Sequence, residues 1–324
     1  MLHRFAKFVA GCTVLLVLAG SLVTSTDSGL SVPDWPTTYG WNMFTFPPSK
    51  WVGGILYEHG HRLIASSVGF LTIVLAVWLW MSEPRRWMRW LGVGALGAVI
   101  AQGVLGGLTV MFFLPAPIST AHAGLAEIFF CITVAIALFT SRGWIDAGPS
   151  HLADDSSLRR IATTTTVLIY CQILIGATMR HTGAGLAIPD FPLMFGHLWP
   201  THWDAKIAVH FAHRTGALLV AVAVCATAFA VFRRTTLGEL RRPAALLIAL
   251  VCVQITLGAL TVLSRRDVWI NSVHVVCGAL VLTTSLVLTL RTWRSKFATN
   301  VRSVRLQADP VRLKPDVTYG KASA

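Results

Sequence analysis

Eight stretches of this 324-residue chain are apolar and long enough to cross a bilayer, and that limits what it can fold into. They fall at roughly 8–24, 62–82, 91–113, 119–141, 161–179, 207–232, 243–263 and 270–290, and a crossing needs about 20 residues. Lipid offers no partners to backbone polar groups, so such stretches are expected as helices. Only 13% of residues are charged, whereas a soluble domain carries about 25%. The expected fold class is an all-α integral membrane protein with eight transmembrane helices.

The net charge of +13 could suggest nucleic acid, but its placement points elsewhere. Basic residues gather in short clusters between apolar runs: "EPRRWMRW" (83–90), "RRTTLGELRR" (233–242) and the tail from Arg291. That is the pattern of cytoplasmic loops. Of the 27 Lys and Arg, only Lys50, Arg62, Arg180, Lys206, Arg214, Arg265 and Arg266 fall on the opposite loops and helix mouths. Both termini are therefore expected in the cytoplasm, and the basic tail is placed to touch anionic headgroups of the membrane lipids. The first apolar run, with Arg4 and Lys7 ahead of it, resembles a signal peptide, but the chain repeats it later, so it reads as a helix. All six cysteines (12, 131, 171, 225, 252 and 277) lie inside spanning segments, where they read as small apolar filler rather than a disulfide framework.

The chain repeats itself. "VIAQGVLGGLTVMF" (99–112) returns as "LVCVQITLGALTVL" (250–263) at an offset of 152, which also carries His61-Arg62 onto His213-Arg214 and His122 onto His274. "SGLSVPDWP" (28–36) returns as "AGLAIPDFP" (184–192) at an offset of 156. Each half holds four helices, and an even number restores the direction of the chain. The expected architecture is two tandem four-helix bundles, 1–152 and 153–294, related by pseudo-two-fold symmetry about the membrane normal. Residues 295–324 read as a disordered basic tail.

"YEHGHRLIAS" (57–66) crowds ionisable groups at the start of the second span. Such groups cost roughly 2.5–3.5 kcal/mol each within a membrane even on the lenient scale, so they need partners or a purpose. His61 and His122 enter parallel helices from the same side, and His213 and His274 reproduce the arrangement. Bundles build cofactor sites from inward-facing side chains on separate helices. Two neutral imidazoles facing across a flat cofactor suit haem iron; zinc would want more ligands than the two each half repeats. Arg62 and Arg214, each next to a candidate ligand, are suited to haem propionates or to snorkelling toward headgroups. Gln102 and Gln254, with Gly103, Gly106 and Gly107 nearby, read first as close helix packing.

These residues resemble the haem A synthase family. The resemblance covers about 8–292 and rests on the eight helices, the internal repeat, Glu58-x-x-His61-Arg62, His122 in "TAHAGLAE", His213-Arg214 in "HFAHRTGA" and His274 in "NSVHVVCG". It implies oxidation of the C8 methyl of haem O to the formyl of haem A, for use in terminal oxidases, in the bacterial inner membrane. It also implies that His61 and His122 bracket the substrate haem O or product haem A, that His213 and His274 ligate haem b, and that the substrate is handed on by haem O synthase. The electron donor stays open. Many Bacillus-type members carry cysteines in the outer loops; this chain has "PDWPTTYGWNMF" and "PDFPLMFGHLWP" there, so a thiol relay in these loops is excluded. Glu58 precedes His61 by one turn on the same helix face and faces His210 in the repeat, which makes it the catalytic candidate.

A quinol-linked di-haem b electron carrier would share the histidine pairs but would need no Glu58. A transporter with repeated halves would place its polar groups at mid-membrane rather than at the helix ends. Among the remaining polar groups, Glu127, whose repeat position is Ala279, is expected to pair with another helix. His59 is expected at the interface, and His181, His197 and His202 solvated in an outer loop. Trp35, Trp41, Trp51, Trp199 and Trp203 read as an aromatic belt, and the segments around Asp34 and Asp190 as lids over the haems.

Overall fold

A computed structural model describes residues 1–146 and 155–296. Its helices are α1 (Leu2–Ser25), α2 (Gly54–Ser82), α3 (Arg86–Met111), α4 (Ala116–Phe139), the short α5 (Arg142–Ile145), α6 (Ser156–His181), α7 (Ala205–Arg234), α8 (Gly238–Leu263) and α9 (Val268–Thr292). All but α5 are long and apolar enough to cross a membrane. Among the described residues, extended pairing is limited to two isolated bridges, Thr38 with Trp41 and Met194 with His197. The tail expected at 295–324 lies outside the described residues from 297 onward.

The helices outrun the apolar stretches that announce them. At 24–30 residues they reach about 36–45 Å, more than the roughly 30 Å hydrocarbon layer. A helix pairs its own backbone, so polar residues prolong it until a cap stops it. Asp155, Asp204 and Asp267 supply such caps to α6, α7 and α9 by accepting from the first-turn amides. Because α2 begins at Gly54, the whole "YEHGHR" segment is helical. His61 therefore stands two turns inside α2 rather than at its mouth.

Packing closes two cycles. Helix α1 lies on α2 and α4, α2 on α3, and α3 on α4; likewise α6, α7, α8 and α9 close through α6 against α9. The cycles meet through α1 with α9 and through α4 with α6 and α9. Helices α4 and α9 are the two most buried spans. Each cycle encloses its own apolar core: Val9, Leu75, Leu79, Met88 and Ile136 in one, Val224, Val231, Leu247, Leu282 and Leu288 in the other. Lipid tails are as apolar as leucine, so close packing rather than escape from water holds these helices together. Gly92 shows how: a Cβ there would lie 2.9 Å from Leu79 Cδ1 and 3.4 Å from the Ala76 backbone.

A polar seam joins the cycles at the end of α1 nearest the α1–α2 loop. Arg180 Nη2 donates to Ser21 O and Ser25 Oγ, both at 2.8 Å, while Asn271 and Ser272 donate to the same Ser25 hydroxyl.

The α1–α2 and α6–α7 loops share one construction. Asp34 accepts from the amides of Tyr39 (2.7 Å) and Gly40 (2.9 Å) and from the Thr37 hydroxyl. Asp190 accepts from Phe195 and Gly196, both at 2.8 Å. The turns they hold are left-handed: φ is +52° and +75° at Tyr39 and Gly40, and +57° and +78° at Phe195 and Gly196. Glycine takes that conformation freely, whereas an aromatic residue needs the carboxylate's support. Burial pushes both aspartates up, but the amide donors outweigh it and hold their carboxyls below the ordinary value.

Candidate functional site

Each of the four histidines faces a glycine on the preceding spanning helix. A Cβ at Gly20 of α1 would lie 3.0 Å from His61 Cε1 on α2, and one at Gly106 of α3 would lie 3.2 Å from His122 Cε1 on α4. In the second half, Gly176 of α6 would meet His213 Cε1 at 2.8 Å, and Gly258 of α8 would meet His274 Cε1 at 3.2 Å. Any side chain in these places would push the imidazole out of position. The sequence reading noticed Gly106 as a packing residue and passed over Gly20 and Gly176. The signal was present, because those two are related by the same offset of 156 as the outer loops.

Glutamines brace three of the four. Gln102 Nε2 donates to His122 O at 2.9 Å and stands 3.5 Å from its Nε2; Gln254 Nε2 stands 3.5 Å from His274 Nε2. Gln172, absent from the sequence reading, donates to His213 O at 2.7 Å and lies 3.0 Å from its Nδ1. The expected helix packing of Gln102 and Gln254 is thus directed onto the histidines. His61 has no glutamine, because the repeat counterpart of Gln172 is Leu16.

Glu58 and Arg62 clamp the first outer loop. Glu58 is buried; its Oε1 meets Arg62 Nη2 at 2.6 Å and its Oε2 accepts from the Val32 amide at 2.8 Å. Arg62 also donates to the carbonyls of Val32 (2.9 Å), Asp34 (2.7 Å) and Thr37 (3.0 Å). In the second half Arg214 donates to Ile188, Asp190 and Leu193 carbonyls, and His210 takes the place of Glu58. His210 Nδ1 lies 3.2 Å from the Ile188 amide and Nε2 3.1 Å from Arg214 Nε, and a neutral imidazole accepts at one of the two. Both arginines fasten the Pro-Asp-aromatic-Pro loops to the helices carrying His61 and His213, a task that sequence reasoning had assigned only to propionates or headgroups.

Several minor expectations change. His59 is not interfacial but completely buried, bonded to Thr38 Oγ1 at 3.1 Å and packed 4.8 Å from the Trp51 ring and 5.1 Å from Phe46. The loop folds back over α2 and covers it. Glu127 does not find the pairing expected of it: it is buried and its Oε2 has no hydrogen-bond partner. His181 ends α6 and is half-buried, whereas His197 and His202 are exposed in the α6–α7 loop. Trp35 is more than belt, since a Cβ at Gly107 would lie 2.5 Å from its ring. The first loop therefore rests on the α3 backbone.

The residues fit haem by two observations. The His213 and His274 ring centres stand 6.5 Å apart at 76°. Two imidazoles sharing one metal, each with a nitrogen about 2 Å from it, place their ring centres about 6 Å apart. Second, Nδ1 of His61, His122 and His274 is buried without a hydrogen-bond partner, a condition costing roughly 1–3 kcal/mol per group unless something outside the chain compensates. Among the described residues no three His, Cys, Asp or Glu side chains converge on a metal-sized site, so pairs are what the helices offer.

An eight-span membrane protein with a repeated pair of buried, glycine-faced histidines defines the class. Comparison with known proteins narrows it. Residues 3–286 match the cytochrome oxidase assembly protein family COX15-CtaA, and the chain belongs to that family. It is 31% identical to the haem A synthase of Symbiobacterium thermophilum over 81% of this chain and 85% of that protein. With the haem A synthase of Halalkalibacterium halodurans it shares 28% over 87% and 95%, respectively. For the haem A synthase of Agrobacterium fabrum the identity is 27%, over 85% of each chain.

Proposed function

We propose that this chain is a haem A synthase, a multi-pass bacterial membrane oxidoreductase that converts the C8 methyl of haem O to a formyl group. The observation that carries this reading is the set of glycine-faced histidine pairs inside a member of this family. The quinol-linked di-haem carrier is not favoured, because the similar proteins are named haem A synthases. The two cycles of helices are read as tandem bundles of pseudo-two-fold symmetry, 1–152 and 153–294, with both termini cytoplasmic.

In this reading His61 and His122 bracket the substrate haem O and product haem A, while His213 and His274 hold haem b. Haem b, when bound, would relay single electrons from a donor to the oxidation. The substrate methyl is hydroxylated twice with dioxygen and electrons, and the diol loses water to give the aldehyde. Arg62 and Arg214 hold the outer loops over the haem edges and offer their charge to propionates. Glu58 keeps a carboxylate within one turn of His61, where it can accept a proton during oxidation. An apolar groove of about 220 Å³ opens between α1 and α2, lined by Cys12, Leu15, Leu63, Ile64 and Ser67. It lies one turn from His61 and suits the farnesyl tail of a substrate entering sideways from lipid. Haem O is insoluble, so hand-off from haem O synthase fits this entry.

Co-expression with a haem O-producing prenyltransferase, followed by mass identification of the extracted pigment, tests the reading. Haem A together with haem b is expected. Haem b alone, with haem O present in the membranes, overturns it.

A further inference from the structure

The two halves treat their equivalent histidines on α2 and α7 differently. His213 is held by Gln172, which donates to its carbonyl at 2.7 Å and touches its Nδ1 at 3.0 Å. The glutamine fits because residue 216 is glycine: a Cβ there would run into Gln172 Oε1. The repeat counterparts of Gln172 and Gly216 are Leu16 and Ile64. Both positions change together, so the first half lacks the brace and the space for it. Nδ1 of His61 is buried without a hydrogen-bond partner, and its ring lies against the Gly20 backbone position. The other ligand pair does not diverge in this way, since Gln102 and Gln254 approach His122 and His274 alike, each at 3.5 Å from Nε2.

We infer that Gln172, admitted by Gly216, is a positioning residue that makes His213 a permanent ligand, and that the Leu16–Ile64 pair leaves His61 free to release its haem. The inference rests on the proposed ligand assignment and names the residues that would set the two sites apart. A partner on the second ring nitrogen of a ligating histidine fixes ring orientation and tautomer, and its loss lowers metal affinity about 10–100-fold. The Gln172 amide can serve His213 in this way: its buried Oε1 has no partner, and a turned carboxamide would accept from Nδ1–H in exchange for the bond to the His213 carbonyl. A site that must take in substrate and let product go gains from the opposite arrangement, an imidazole whose ring is steered by packing alone.

Transfer of bound haem to excess apomyoglobin tests this on the purified full-length protein, with pigments identified as they leave. In the wild type, haem O or haem A should transfer first and haem b about tenfold or more later; equal rates would overturn the inference. Gln172→Leu, which imports the residue of the first half, and Gly216→Ala, which displaces the glutamine without touching the histidine, should both speed haem b transfer about 10–100-fold. Both should also shift its midpoint potential while the low-spin spectrum persists. The His213→Ala variant separates the two readings. If it loses haem b while both brace variants transfer haem b at the wild-type rate, the brace is refuted and the ligand assignment stands. If it keeps full low-spin haem b, the assignment itself fails.

Discussion

The two cycles of helices, α1–α4 and α6–α9, share a set of contacts and differ most around one histidine each. Both have an aspartate-tied outer loop, an arginine fastening that loop to the ligand-bearing helix, and a glycine opposite each histidine. They differ around the histidines of α2 and α7: Glu58 against His210, Leu16 against Gln172, Ile64 against Gly216. Even the lid differs there, Trp35 resting on Gly107 where the second half has Phe191 and Ala259. In the proposed reading, the shared features would hold a haem and the altered ones would set the site that holds apart from the site that works. A scaffold duplicated in one chain needs few substitutions to do both, provided they cluster where the substrate lies.

The largest effects come from the ligands. His213→Ala and His274→Ala should each remove most haem b and its low-spin absorption, because bis-imidazole binding needs both rings. His61→Ala and His122→Ala should leave haem b in place and abolish haem A. Reversed or identical outcomes in optical spectra and pigment analysis would break the assignment of the halves.

Glu58 comes next. Its contacts are those of a loop anchor, and His210 serves the same anchor, so the comparison itself suggests the decisive replacement. Glu58→His imports the second half's residue, keeps an acceptor for one of the two donors Arg62 and Val32 N–H, and removes the carboxylate. Together with Glu58→Gln it should retain haem b and accumulate haem O or its hydroxylated form at the expense of haem A. A near-normal haem A yield from either variant would make the carboxylate purely structural.

Glycine replacements are milder. Gly176→Ala sets a methyl 2.8 Å from the His213 ring and Gly20→Ala one 3.0 Å from His61. Overpacking of this kind costs about 1–3 kcal/mol. Gly176→Ala should weaken haem b binding, and Gly20→Ala should spare it while slowing haem A formation. Matching losses of haem b in both variants would show that the halves are not independent.

The smallest effect is one of pH and should be common to both halves. Asp34 and Asp190 sit below the ordinary value of 3.8 in the folded chain. Their support for the outer loops is therefore fully present above that value and fades as pH falls through the lowered one. Tryptophan fluorescence of the loops should be steady down to pH about 4 and change below it. Asp34→Asn should abolish the first loop's response and leave the second.

Much of this was legible without coordinates. The eight spans, the offsets of 152 and 156, and the four histidines can be read directly, because hydropathy and repetition are properties of the chain order. The same offset contained Gly20 and Gly176, but a glycine in a membrane helix is too common to be singled out until a ring is seen against it. Gln172 was hidden for a related reason, since it has no counterpart in the first half and repetition cannot flag what is not repeated. His59 and Glu127 were misjudged because burial depends on what folds over a residue from elsewhere in the chain.

Sequence alone determined that the chain lies in a membrane, that it is built twice, and which residue types could hold a flat metal cofactor. Backbone pairing in lipid permits only helices there, and a repeated sequence refolds in a repeated way. Tertiary structure decided which donors face which acceptors: that Arg62 and Arg214 fasten the outer loops through their carbonyls, that Glu58 anchors a loop, and that three of four histidines carry a glutamine. Those outcomes depend on contacts between residues 20 to 41 positions apart, set by how α1 packs on α2, α3 on α4, α6 on α7 and α8 on α9. No local pattern records such distances, because close approach between helices is a property of two surfaces and not of either one.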